Sequence, residues 1–299
     1  MLIRTDVHNI GDPFILNDDG LYYMYCTDFD IQGFKVRTSN NLYNWEYKGI
    51  ALDLSDSWAY KDFWAPEVVK HNDIYVMHYS ARTIKDNKLR IGVATSTSPL
   101  GPFKDVYDGP MFDLGYACID GHVLKTEDKN YLFYSRDCSD NYKDDGTRLS
   151  EIYCLELSDD LLAIKKEPIL ISTPDREYDR IPYRNIMWNE GPAIVKHEGL
   201  YYLTYSANFF ASNNYSICVS ISDNPLGPYK KCDEINPIVS ALPSGNDFSG
   251  PGHNCFFNDN MGNLKIAFHI QTDEYHPSQN RKACIGDVIF ENKMMKIIL

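Results

Sequence analysis

Three acidic residues stand at matching places in a repeated pattern: Asp12 in "GDPFIL", Asp120 in "CIDGHVL" and Glu190 in "NEGPAIV". Taken singly, each has an ordinary explanation, because Asp-Pro and Asp-Gly mark turns and a Glu before Gly-Pro is usually solvated. Recurrence sets them apart. Like charges brought to one place cost stability unless they have a use, and the use that fits is acid–base chemistry. One carboxyl stays protonated and gives its proton to a leaving oxygen, while another stays ionised and activates water or attacks carbon. A third raises the pKa of the proton donor by repulsion. This inventory suits cleavage of a glycosidic bond. Three acids around a wide opening fit a working pair about 6.5–9.5 Å apart, the spacing of a single inverting displacement.

The elements that must position these acids are legible as five copies of one unit. "PFILNDDGLYYMYCT" from Pro13 aligns without a gap on "PEVVKHNDIYVMHYS" from Pro66 and on "PAIVKHEGLYYLTYS" from Pro192. "DGHVLKTEDKNYLFYS" from Asp120 fits with Asp120 on Asp12, and "GPGHNCFFNDNMGNLKIAFH" from Gly250 fits with a lengthened turn. Each copy is an apolar run, a turn rich in Asp, Asn or Gly, and a Tyr-rich run, which reads as a β-hairpin. More strand-like sequence follows, and two copies end in near-identical turns, "SPLGPFK" and "NPLGPYK". Helical periodicity is scarce; even "SEIYCLELSDDLLAIKK" favours a strand. Units of this size and number predict an all-β chain: a five-bladed β-propeller over residues 1–299, a single catalytic domain, with the first strand of each blade on the central axis. The residues converging there are Asp12, Ala65 with Glu67, Asp120, Glu190 with Gly191, and His253. Glu190 falls one residue ahead of the Asp12 register, which calls for a local bulge in blade four.

Composition narrows the partners. A formal charge of -13 disfavours nucleic acid and anionic membranes, leaving a small neutral oligosaccharide as the expected partner. Eight cysteines without a CxxC pair argue against zinc and against a disulfide scaffold. They read as reduced thiols. The N-terminal stretch has no apolar signal-peptide core, so a cytoplasmic location is expected.

Taken together and in order, "GDPFIL", "FWAPEVV" with Trp64, "CIDGHVL", "NEGPAIV", "GPGHN" with His253 and "NRKACIGDVIF" with Arg281 resemble glycoside hydrolase family 43 over nearly the whole chain. Members are five-bladed propeller enzymes acting on arabinose- and xylose-containing saccharides. The resemblance implies Asp12 as general base, Glu190 as general acid and Asp120 as the residue that raises the pKa of Glu190 and orients it, with inversion at the anomeric carbon. Many members have Pro after the second Asp, where this chain has Gly121. The resemblance also implies that Arg281 contacts sugar hydroxyls. It makes His253 either a pocket residue or a contributor to an axial calcium ion; no cofactor is required for the chemistry.

Trp64 is expected as an apolar wall against a sugar ring, and Trp188, beside "NEGP", as another residue reaching the funnel. Trp45 and Trp58 read as packing residues, and His269 and His276 as structural or exposed. The longer stretches "SRDCSDNYKDDGTRLSEIY" and "STPDREYDRIPYRNIMWNE" are the expected rim. The activity expected is an α-L-arabinofuranosidase; the alternatives are a β-xylosidase or endo-arabinanase of the same family, or a catalytically idle carbohydrate-binding propeller. A fructoside- or galactoside-directed relative would carry a Trp-x-Asn-Asp-Pro at the first acid, which is absent.

Overall fold

The computed structural model describes residues 1–181, 184–241, 248–272 and 280–299. The chain is a five-bladed β-propeller. Each copy of the repeat supplies the two inner strands of a blade. The hairpins are Ile3–Asp18 with Leu21–Asp28, Ala59–His71 with Ile74–Thr83, Cys118–Lys125 with Asn130–Arg136, Ile186–His197 with Leu200–Ala207, and Ser249–Asn258 with Leu264–Gln271. All five are antiparallel. "SEIYCLEL" is strand, within Arg148–Leu157. Among the described residues the sole helix is a 3-10 turn, Glu177–Asp179.

Apolar side chains on both faces of a blade need covering, and the neighbouring blades supply it. Five buried clusters seal the five seams. Tyr25 and Phe34 of blade one meet Met77 and Tyr79 of blade two. Val76 and Ile91 meet Leu132 and Tyr134 of blade three, and Phe133 meets Leu203 and Tyr205 of blade four. Ile217 meets Phe268 of blade five, and Ala267 and Ile285 return to Ile15 and Met24 of blade one. Each fully buried Ile, Leu or Phe contributes about 1.5–3 kcal/mol, so the seams carry much of the stability that a lone blade lacks. The chain also closes its ring by strand pairing. The N-terminal strand pairs with Leu21–Asp28 in blade one, and its first residues pair with Arg281–Ile285 in blade five.

The expected bulge is present in blade four, but it is not local to that blade. Every inner hairpin breaks register at the same point: Gly11/Phe14, Trp64/Glu67, opposite Phe133/Ser135, Glu190/Ala193 and Gly252/Cys255. At each break one residue takes a left-handed backbone: Asp12 (φ 52°), Ala65 (47°), Asp120 (61°), Gly191 (56°) and His253 (48°). For a non-glycine residue this costs about 1–2 kcal/mol, and it persists where surrounding bonds overdetermine it. They do here. The N–H of each of these residues donates to a side chain on the second strand of the preceding blade: Ala65 to Thr27 Oγ1 (2.9 Å), Asp120 to Ser80 Oγ (2.9 Å), Gly191 to Ser135 Oγ (3.2 Å), His253 to Ser206 Oγ (2.7 Å) and Asp12 to His269 Nδ1 (3.2 Å). This ring of five bonds runs around the axis and joins the last blade to the first.

Candidate active site

Three of the left-handed residues, Asp12, Asp120 and His253, and three of the residues just before them reach one pocket at the axis. The preceding column reads Gly11, Trp64, Ile119, Glu190 and Gly252. Trp64, Ile119 and Glu190 line a pocket of about 280 Å³ together with Asp12, Asp120 and His253. The two glycines make room for large neighbours: a Cβ at Gly11 would lie 2.1 Å from Arg281 Nη2, and one at Gly252 would lie 2.0 Å from the Tyr215 ring. The three acids of the sequence are therefore brought to one pocket, with Trp64, Trp188, His253 and Arg281 lining it too.

Their environments differ. Asp12 accepts a hydrogen bond from Thr27 Oγ1 (2.5 Å) on Oδ2 and one from Arg281 Nη1 (3.1 Å) on Oδ1. His253 and His269 each place Nδ1 3.5 Å from the same Oδ1. Burial by itself would raise its pKa, but Arg281, His253 and Thr27 outweigh that and hold Asp12 well below the usual carboxylate range. Glu190 is the opposite case. Burial pushes its pKa far up, Asp120 adds repulsion, and the Tyr215 hydroxyl, donating to Oε1 at 3.0 Å, offsets part of the rise. Asp120 lies between these two in character. Its Oδ2 accepts from Gly191 N–H (3.1 Å) and Ser135 Oγ (3.3 Å), and burial raises it to about 6. Because Gly191 is bonded to Asp120, the neighbouring Glu190 is held beside it. Within one pocket Asp12 is drawn toward its ionised form and Glu190 toward its protonated form.

Two members of this arrangement went unassigned in the sequence. His269 was expected to be structural or exposed; it is fully buried against Asp12. Accepting the Asp12 N–H on Nδ1 requires a neutral ring there, and burial with Arg281 nearby lowers its pKa well below the ordinary value. Tyr215 is buried, holds Glu190, and stacks on His269 with ring centroids 5.7 Å apart and planes 10° apart. The stacked pair thus links the backbone of Asp12 to the carboxyl of Glu190. A signal for His269 exists in the aligned repeat, whose last column reads Thr27, Ser80, Ser135, Ser206 and His269, the five acceptors of the ring. His276 lies outside the described residues.

Arg281 is 4% exposed, not a surface residue, and its guanidinium sits over Phe29 and Phe210, 5.7 and 5.3 Å from their centroids. Trp64 is half-buried on Leu89 and Ile119, and Trp188 packs on Phe209 (5.4 Å). Trp45 is core, and Trp58 stacks on Tyr79. Around His253 few protein oxygens are free to hold a cation directly, so an ion there would be held mostly through waters. Among the described residues no three His, Cys, Asp or Glu side chains are grouped as metal ligands. Asp12 spends its oxygens on Thr27 and Arg281, and Glu67 Oε2 is engaged by His122 Nδ1 at 2.9 Å. Asn254 Oδ1 is left as the one buried, unpartnered side-chain oxygen of the space below, against the roughly six to eight oxygens calcium takes.

A propeller whose axis gathers three carboxyls, one favoured as the anion and another as the acid, has the make-up of a glycoside hydrolase. The model of "Glycosyl hydrolases family 43" matches residues 7–294, and the chain belongs to that family. A solved thermostable family-43 glycoside hydrolase is 41% identical, with a TM-score of 0.92 over 98% of this chain and 94% of that one. A β-D-galactofuranosidase of Aspergillus niger is 24% identical, covering 90% of this chain and 75% of its own length. An extracellular exo-α-(1→5)-L-arabinofuranosidase of Streptomyces chartreusis is 25% identical, covering 94% and 83%.

Proposed function

We propose that the chain is an inverting α-L-arabinofuranosidase in which Asp12 is the general base, Glu190 the general acid and Asp120 the group that keeps Glu190 protonated. The convergence of Asp12, Asp120 and Glu190 on one pocket, with Asp12 bonded to Arg281 and Glu190 buried against Asp120, carries this reading. A water at Asp12 loses a proton to the carboxylate as its oxygen bonds to the anomeric carbon. The glycosidic C–O bond breaks at the same time, and Glu190 gives its proton to the departing oxygen. Exchange with solvent restores both acids. Trp64 supplies an apolar wall, and Arg281 holds Asp12 ionised while presenting N–H donors to sugar hydroxyls. His253 and Trp188 complete the contacts. The furanoside preference is supported by similarity to enzymes named for arabinofuranose and galactofuranose. These two sugars, in their α-L and β-D forms, share ring stereochemistry and differ by one hydroxymethyl group.

Proton NMR of early products from arabinofuranosyl- and xylosyl-oligosaccharides tests the proposal. Arabinose appearing first as its β-anomer is the expected result. Retention of configuration would overturn the mechanism, and release of xylose alone would favour the β-xylosidase.

The pKa environment of Glu190 yields opposite predictions for two variants. The charge of Asp120 raises its pKa, so Asp120→Asn moves the alkaline limb of kcat/KM to lower pH. The Tyr215 hydrogen bond lowers it, so Tyr215→Phe moves that limb to higher pH, with kcat reduced about tenfold for loss of a bond to a charge-bearing group. A pH–rate profile of each variant reads the direction. Shifts of the same sign would exclude Glu190 as the titrating acid.

A further inference from the structure

We propose that the leaving-group side of the pocket is built for a carboxylate, that of a uronic acid residue in the saccharide from which the terminal sugar is removed; this rests on the glycosidase reading above. Glu190 protonates the departing oxygen, so the leaving group lies beyond Glu190. Ile186, Trp188 and Glu190 alternate along one strand and all line the pocket. Following that face back from Glu190 passes Trp188 and reaches Ile186, which pairs with Arg148 in a parallel ladder joining blades three and four.

Two guanidinium groups stand there. Arg148 and Arg184 line the pocket and the recess that adjoins it, where Tyr142 and Asn185 are their neighbours. Arg184 sits over the Phe209 ring, 5.0 Å from its centroid, and Phe209 packs on Trp188, so an aromatic shelf ends in a cation. Five other arginines, Arg37, Arg82, Arg90, Arg176 and Arg281, each meet an aspartate, while Arg136 lies over the Tyr116 ring and Arg180 meets the Met187 sulfur. Neither Arg148 nor Arg184 pairs with a carboxylate among the described residues. Asp137 lines the same pocket without pairing to either, and accepts the Ser139 N–H instead.

What sets Arg148 and Arg184 apart is their place: both line the pocket and its adjoining recess, and neither is tied to a carboxylate among the described residues. A sugar hydroxyl does not call for two charges. A carboxylate does, because its two oxygens match the planar donor fork of arginine. The aromatic shelf supplies the flat apolar surface for the ring that bears it.

The test is a matched pair of substrates: an arabinofuranosyl-substituted oligosaccharide with a uronic acid in the leaving group, and its twin with that carboxyl reduced to a hydroxymethyl group. The wild-type kcat/KM for the acid is expected to exceed that for the twin by roughly ten- to hundredfold, the range of a charge-assisted hydrogen bond. Arg148→Gln and Arg184→Gln bring the ratio toward one, and Arg184→Lys retains part of it. Should a variant not fold, the wild-type ratio decides alone. Equal values for the two substrates, with arabinose released from both, overturn the carboxylate subsite and leave the arabinofuranosidase standing. No release from either overturns both.

Discussion

Exchanging Glu190 for glutamine lowers kcat on an arabinofuranosyl oligosaccharide by about 10²–10⁴-fold, the contribution of a positioned proton donor. The same variant loses far less on an aryl arabinofuranoside whose leaving group departs as a stable anion. Glutamine fills the place of the carboxyl and can still accept the Tyr215 hydrogen bond, so the comparison isolates the proton. Equal losses on both substrates would remove Glu190 from the role of acid. The variant also changes stability in a defined direction. A carboxyl whose folded-state pKa lies above its ordinary value of 4.5 takes up protons on folding. Stability therefore falls as pH rises from that value toward the folded-state pKa. Glu190→Gln removes this slope, and thermal melts across pH are expected to show it more resistant than wild type at neutral and alkaline pH. Identical slopes would mean that Glu190 is ionised in the fold.

Asp12→Ala is expected to lose turnover by a similar factor, about 10²–10⁴, for the complementary reason that no group takes the proton from water. Azide, an anion that attacks carbon without a base, restores turnover of an activated arabinofuranoside and yields the inverted glycosyl azide. Recovery with retained configuration would point to a different displacement. The fold pays as well. Asp12 is the carboxylate paired with buried Arg281, and stranding a buried charge costs about 3–5 kcal/mol. The stabilisation by Asp12 is present above the unfolded value near 3.8 and is lost as pH falls through its depressed folded value. The melting temperature of the alanine variant should therefore fall short of wild type at neutral pH, with the gap closing in strong acid.

Much of this site was legible in the chain. Asp12 and Asp120 share a column of the repeat, and Glu190 stands one place ahead of it, because a blade is a local hairpin whose pattern depends on nearest neighbours. Radial stacking then sends equivalent positions to one axis, so sequence spacing alone placed three acids together. Trp64 and Trp188 followed from their positions beside the same column. The "SRDCSDNYKDDGTRLSEIY" and "STPDREYDRIPYRNIMWNE" stretches do supply rim residues, among them Asp137, Arg148 and Arg184.

What the chain did not disclose depends on contacts between blades. Taken alone, the copy of blade four seemed to need its own bulge, whereas all five inner strands bulge at the same residue. A left-handed backbone at Asp12, Ala65, Asp120 and His253 is unfavourable locally and is sustained by hydrogen bonds from the preceding blade, a cause that local propensity does not contain. His269 and Tyr215 sat inside apolar strand patterns, where a polar residue reads as structural. Closure of the ring brings His269 to Asp12 across 257 positions of chain, and the same closure lays Tyr215 on His269. The sequence by itself therefore determined the blades, their number and the acids that meet on the axis, because hairpins and repeats are short-range. Only the tertiary structure decided what moves each acid's pKa and in which direction, because burial, Arg281, Tyr215 and His253 reach the acids from segments far apart in the chain.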